Sequence, residues 1–203
     1  MLVAHPDDET LWAGGTLLMN PGWAPFVATL CRASDAERSP KFFAALGRLS
    51  AHGAMADLDD GAEQVPLADE TVEQALLAAL PARNFDRILT HSPLGEYTRH
   101  LRHEEVGRAV LRLWLAGELT ASELWLFAYE DGAGAHLPAA IDTADIGSEL
   151  PLEIWREKLS LVTDVYGFPR DSWEARVTPR REAFFCVKTE VEASAWLTPK
   201  YAP

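Results

Sequence analysis

Hydrophobic and polar positions fall along the chain in two kinds of block: short apolar runs, and longer stretches with helical spacing. Residues 1–4, 25–31 (PFVATLC), 54–58, 86–90 (DRILT), 123–129 (ELWLFAY) and 183–187 (AFFCV) read as strands. Helical patterns lie between them. Residues 11–19 are entered through a Gly-containing turn. Residues 39–52 carry Ser39 as N-cap, Pro40 at the first position and Gly53 as the stop. Residues 70–80 end at Pro81. Residues 104–116 place Val106, Val110, Leu113 and Trp114 on one face, and residues 152–165 do the same with Leu152, Trp155, Leu159 and Val162. Residues 131–134 and 167–181 read as loops. Strands alternating with helices imply βαβ units, hence a Rossmann-like, doubly wound α/β fold with a mainly parallel sheet and helices on both faces. No repeat, low-complexity run or composition shift divides the chain, so one domain over residues 1–203 is expected.

The polar residues are not scattered. His5, Asp7 and Asp8 follow the first strand, and Ser34, Asp35 and Arg38 the second. Asp59 and Asp60 follow the third, His91 and Ser92 the fourth, and Glu130 the fifth. In open α/β sheets that edge is where ligands bind, at the crevice where the strand order reverses.

Composition narrows the function classes. The 203 residues carry 18 Lys+Arg against 31 Asp+Glu, a net charge of −13. A nucleic-acid backbone or an anionic membrane needs a basic face, so neither is an expected partner. A chain this long buries about 70 % of its unfolded surface and folds without a structural metal, so any metal site is read as functional. Cys31 and Cys186 lie in apolar contexts and read as buried thiols of a reducing, cytoplasmic compartment. No basic and then apolar leader opens the chain, and no apolar run approaches the roughly 20 residues that span a bilayer. The first strand is short, which leaves room for residues upstream of Met1.

Two segments carry chemistry. In Ala4-His5-Pro6-Asp7-Asp8-Glu9-Thr10 an imidazole and adjacent carboxylates follow a strand, with Pro6 fixing the turn. Imidazole and carboxylate both ligate zinc at about 2.0–2.2 Å. Neighbouring carboxylates point different ways, so one can bind metal while the other faces the metal's water. In Glu96-Tyr97-Thr98-Arg99-His100-Leu101-Arg102-His103 two histidines lie three apart in a loop leading into a helix. A catalytic zinc needs about three protein ligands and an open position; His5, Asp8 and His103 supply them, leaving His100 free.

AHPDDET, followed by Gly14-Gly15-Thr16 and later by HLRHEEVGRAV, resembles the LmbE/PIG-L family of zinc-dependent N-acetylglucosamine deacetylases, over roughly residues 1–129. The resemblance implies the strand order 3-2-1-4-5, with His5, Asp8 and His103 as ligands of Zn2+ (Fe2+ being another candidate). It implies Asp7 as general base and His100 as the group that stabilises the tetrahedral intermediate. Arg38 and Asp60, with Gly61, match the family's sugar-contacting positions. The chain departs from the pattern where His-Pro-Asp-His becomes His100-Leu101-Arg102-His103, and where the second helix opens Arg38-Ser39-Pro40-Lys41. The expected partner is a small amino-sugar substrate, and a homo-oligomer is left open.

Blander readings stand beside these. Asp7 is a natural helix cap, Arg38 a surface ion pair, and Asp60 a turn former before Gly61. His100 and His103 could exchange roles. Glu9 could orient His5 or simply charge the first helical turn, and His91 could support the site from behind it. Trp12 alone among the tryptophans is placed to line a pocket. Other functions on the same site are hydrolysis of another amide or ester, a metal-retaining carbohydrate-binding module without turnover, or a two-metal phosphoesterase drawing on Asp35, Asp59 and Asp60.

Overall fold

The computed structural model describes residues 1–97 and 100–198. Its strands are β1 (Leu2–Val3), β2 (Phe26–Cys31), β3 (His52–Leu58), β4 (Asn84–Thr90), β5 (Thr120–Phe127), β6 (Tyr129–Glu130), β7 (Ala139–Ala140), β8 (Ile146–Glu149) and β9 (Arg181–Val187). Its helices are α1 (Asp8–Met19), α2 (Arg38–Arg48), α3 (Asp69–Ala79), α4 (Leu101–Leu115), α5 (Leu152–Ser160), α6 (Trp173–Val177) and α7 (Glu190–Trp196); α5 runs on into one π-helical turn, Leu161–Val165.

Seven strands form the central sheet in the order β3-β2-β1-β4-β5-β9-β8. The first five are parallel, in the 3-2-1-4-5 arrangement expected, and β9 and β8 extend the sheet antiparallel. β6 and β7 form a separate two-stranded ribbon. β1 is only two residues long, yet it occupies the middle of the sheet, with Leu2 facing Ala28 on one side and Thr90 on the other. The strand order reverses there, so the crevice opens beyond the carboxyl ends of β1 and β4.

Alternating residues feed two cores. Leu2, Leu30, Leu124 and Leu126 pack with Val72, Leu76, Val106 and Val110 beneath α3 and α4. Val3, Val27 and Phe127 pack with Leu11, Trp12, Phe42 and Val162 on the opposite face. The period-2 alternation of each strand is what places helices on both sides.

Several boundaries differ from the sequence reading. Glu37, not Ser39, stands at the N-cap of α2. That helix ends at Arg48, and His52 and Gly53 belong to β3 rather than to a helix end. A Cβ on Gly53 would lie 2.4 Å from the carbonyl oxygen of Val27, so this glycine allows close strand pairing and does not stop a helix. The expected strand 123–129 breaks at Ala128, between β5 and β6. Residues 167–181, read as loop, contain α6, whose cap Ser172 accepts a hydrogen bond from the Ala175 amide. α7 was not anticipated, although its capping box, Thr189 with Glu192, was visible in the sequence.

Glycine and a buried ion pair hold α1 in place. A Cβ on Gly15 would come within 2.4 Å of Leu150 Cδ1. The Gly15 and Thr16 amides donate to the Glu182 carboxylate of β9 at 2.8 and 2.6 Å. Lys158 of α5 completes the clamp with its Nζ 2.7 Å from Glu182, both side chains fully buried.

Candidate metal centre

The chain leaves β1 at Val3 and turns over Ala4, His5 and Pro6 into α1. The Ala4 amide donates to His91 Nε2 at 3.0 Å, tying this turn to the end of β4. Asp7 follows at φ +132°, a conformation that L residues rarely adopt. Its amide donates to Glu9 Oε2 at 3.0 Å, and its carbonyl accepts from the amides of Thr10 and Leu11. Asp7 stands at the N-cap of α1 but makes no side-chain capping bond. The backbone therefore holds a strained residue in place while its carboxylate remains available, the arrangement in which strain accompanies function.

Three donors converge beyond this turn. His5 Nδ1 lies 3.1 Å from His103 Nε2 and 3.3 Å from Asp8 Oδ2, and His103 Nε2 lies 3.4 Å from Asp8 Oδ1. A tetrahedral ion with ligand bonds near 2.0–2.2 Å spaces its ligand atoms about 3.3–3.6 Å apart. The neighbouring groups fix the tautomers. Asp60 Oδ1 faces His5 Nε2 at 3.0 Å, and Glu96 Oε2 faces His103 Nδ1 at 2.6 Å. A carboxylate accepts only, so those nitrogens carry the protons, and the lone pairs of His5 Nδ1 and His103 Nε2 face one another. Two lone pairs this close repel unless a proton or a cation lies between them; a proton on His5 relieves the repulsion in the metal-free protein, and a divalent metal bound by the same donors would take its place. Asp8 is held in turn by the Trp12 indole at 3.1 Å and by the His5 amide at 2.7 Å. Each of the three donors thus has the outer partner that metal ligands usually have.

Electrostatics follow from this packing. Burial opposes ionisation of Asp8, but the adjacent imidazoles of His103 and His91 hold its carboxyl well below the usual range. Burial, then the charge of Asp8, pushes Asp7 up. Burial opposes protonation of His5, yet hydrogen bonds to Asp60 and Asp8 raise it. Burial lowers His103, while His100 is lowered to about 3 by burial and by the neighbouring imidazoles of His103 and His5. Glu96 is driven down to about 2, burial being outweighed by His91 and His103.

A pocket of about 200 Å3 opens onto these groups, and Asp7, Asp8, His5 and His100 line it. Trp12 and Tyr97 line it too, Trp12 as the sequence suggested. Arg38 reaches it with a guanidinium 3.5 Å from Asp7 Oδ2 and stacked 4.4 Å from the Phe168 ring centroid. Asp60 is present, but both its oxygens are engaged: Oδ1 by His5, Oδ2 by Arg32 Nε and Nη2 at 3.0 and 2.7 Å. His100 is the N-cap residue of α4 and stacks on His103 with centroids 4.4 Å apart. Its buried Nδ1 has no hydrogen-bond partner. His103 lies inside the first turn of α4, not in the preceding loop as the sequence suggested.

Further donor trios lie close by: His5, His100 and His103; Asp8, His91 and His103; and His5, Cys31 and Asp60, each with donor atoms within 4.8 Å of one another. Sequence reasoning passed over Arg32, which directly follows β2, and Glu174 of α6, which reaches the pocket from the far end of the chain. It gave no role to Glu96, whose Oε2 also faces His91 Nδ1 at 3.0 Å. Of the two readings of Glu9, the structure shows no hydrogen bond to His5; Glu9 lies in the first turn of α1 and binds the Asp7 amide, Thr10 and the Tyr166 hydroxyl. No helix among the described residues is long and apolar enough to cross a membrane.

No family model matches the chain. An uncharacterised protein, L374, of Acanthamoeba polyphaga mimivirus is 24 % identical over 144 residues, an alignment covering 64 % of this chain and 61 % of the viral protein. Among solved structures, the N,N'-diacetylchitobiose deacetylase of Pyrococcus horikoshii superposes with a TM-score of 0.68 at 13 % identity, over 98 % of this chain and 86 % of that one. A deacetylase of teicoplanin biosynthesis gives 0.61 at 16 % identity, covering 93 % and 98 %. The hydratase GalB of Pseudomonas putida KT2440 gives 0.53 at 15 % identity, covering 87 % and 82 %. The chain therefore has the α/β fold that these deacetylases and this hydratase share.

Proposed function

We propose that this chain is a zinc-dependent N-deacetylase of the LmbE/PIG-L type, one domain over residues 1–203, which hydrolyses the acetamide of an N-acetylglucosamine-type sugar or conjugate. The observation that carries the reading is the convergence of His5, Asp8 and His103, each held from behind, beside the strained and uncapped Asp7. Like-folded deacetylases of chitobiose and of teicoplanin support the reaction class. One teicoplanin deacetylase was solved in a zinc-inhibited form, which supports affinity of this scaffold for zinc.

In this reading His5, Asp8 and His103 hold the ion. Zinc bound there would acidify a water and polarise the acyl carbonyl. Asp7 takes the proton of the attacking water and delivers it to the departing amine, a role that suits a carboxyl raised by burial. His100, neutral in its buried setting, donates a hydrogen bond to the developing oxyanion. Arg38 offers donors to the sugar from the pocket wall. Asp60 acts on the sugar only if it gives up a bond to His5 or Arg32, so its first duty is to His5. The unpaired thiols accord with a cytoplasmic setting.

The test is a screen of N-acetylated amino sugars with zinc-loaded protein, reading acetate and free amine. Asp7→Asn should keep its metal and lose about 10²–10⁴ in turnover, whereas His5→Ala should lose the metal. Full metal content in His5→Ala, or no acetate from any acetylated sugar, refutes the proposal. Hydration of an unsaturated acid without acetate release would instead align the chain with the hydratase on this fold.

A further inference from the structure

His5 faces a second set of donors on the side away from His103. Cys31 ends β2, wholly buried, at a point where pairing with β3 slips: Thr29 faces Met55, but Cys31 faces Leu58. Such irregularities re-aim a side chain at a strand end. Cys31, His5 and Asp60 present donor atoms within 4.8 Å of one another, and the His5 nitrogen at Asp60 is Nε2, 3.0 Å from Oδ1. The next residue, Arg32, adopts φ +67° and spends its guanidinium on Asp60 Oδ2. Oδ1 is held by His5 Nε2 and, at 3.3 Å, by the Gln64 side-chain amide, weaker partners than a guanidinium, so Oδ1 is the oxygen a cation can take while Oδ2 stays on Arg32.

We propose that Cys31 Sγ, His5 Nε2 and Asp60 Oδ1 form a second position for a thiophilic divalent cation, Zn2+ or Cd2+, that shares His5 with the first. The proposal rests on the ligand set given above for the first ion. Filling this position releases two protons to solvent, one from the thiol and one from His5 Nε2. His5 then bridges the two ions as an imidazolate, and no electron is transferred. Thiolate and imidazole favour soft and borderline cations over Mg2+, Ca2+ or Mn2+. The cation also takes Asp60 Oδ1 from His5, so the second ion removes the support on which the first depends. Excess of the native metal would act here as an inhibitor, with a cysteine as the sensing group.

The experiment is a Co2+ titration of the metal-free full chain, following thiolate-to-cobalt charge-transfer absorption, with Cd2+ stoichiometry by elemental analysis alongside. The first equivalent should bind without a thiolate signature and the second with one. Cys31→Ser and Cys31→Ala should each bind one equivalent and show no such band, while Cys186→Ser keeps it. A band that survives both Cys31 variants, or a single bound ion with no band, overturns the second position alone. A band that appears with the first equivalent overturns it together with the His5, Asp8 and His103 ligand set.

Discussion

Asp60 was read from the sequence as a sugar contact, and the structure places it between Arg32 and His5. A carboxylate behind a ligating imidazole fixes the tautomer and the ring orientation, and losing such a partner typically costs about 10–100-fold in metal affinity. Asp60→Ala should weaken Zn2+ binding by that factor in a chelator competition, whereas Asp60→Asn, which retains an acceptor oxygen, should recover most of it. Equal losses in both would show that charge, not orientation, is what Asp60 supplies. The first-line residues were legible because they are crowded in sequence: His5, Asp7 and Asp8 lie within four positions, and His100 and His103 within one helical turn. Glu96 and Arg32 were not, because an acid between two imidazoles, or an arginine on a distant aspartate, has no local signature. Their meaning comes from β2 and β4 ending, and α4 starting, at the same crevice.

Among the elements, α4 shows how backbone packing sets site geometry. A Cβ on Gly107 would stand 2.6 Å from the His91 carbonyl oxygen and 2.8 Å from the Ser92 carbonyl carbon, both backbone atoms that cannot step aside cheaply. Gly107→Ala should therefore push α4, and His103 with it, away from the turn after β4. The protein should lose stability by about 1–3 kcal/mol and lose zinc affinity as well, measured by denaturant melts and metal titration. Unchanged affinity would mean that the helix tolerates the shift. On the other face, Lys158→Met would leave Glu182 buried without its cation. The expected cost is about 3–5 kcal/mol, visible as a lower denaturation midpoint; a midpoint within error of wild type would show that the α1 amides alone satisfy Glu182. The parallel core was legible from apolar periodicity and strand–helix alternation. α6, β8 and the break at Ala128 were not, because their short sequences mix polar and apolar residues and take their conformation from contacts with α5, β9 and the pocket.

At the level of the molecule, a site that forms only on folding makes metal binding a source of stability. With free Zn2+ at about 100 times its dissociation constant, the gain is about 2.7 kcal/mol, or roughly 5–10 °C in melting temperature for a chain of this size. Calorimetry with and without chelator measures it, and identical melting curves would place the metal outside the folded state's needs. The central position of β1 has one more consequence. The candidate ligands His5 and Asp8 precede nearly all of the sheet in sequence, yet they meet their partner only once His103 of α4 is in place. α1, which bears Asp8, is not fastened until Glu182 arrives from β9. A product truncated before β9 would thus display the whole motif and still lack the Glu182 clamp that steadies it, so the order of the turn depends on a strand far removed from it in sequence.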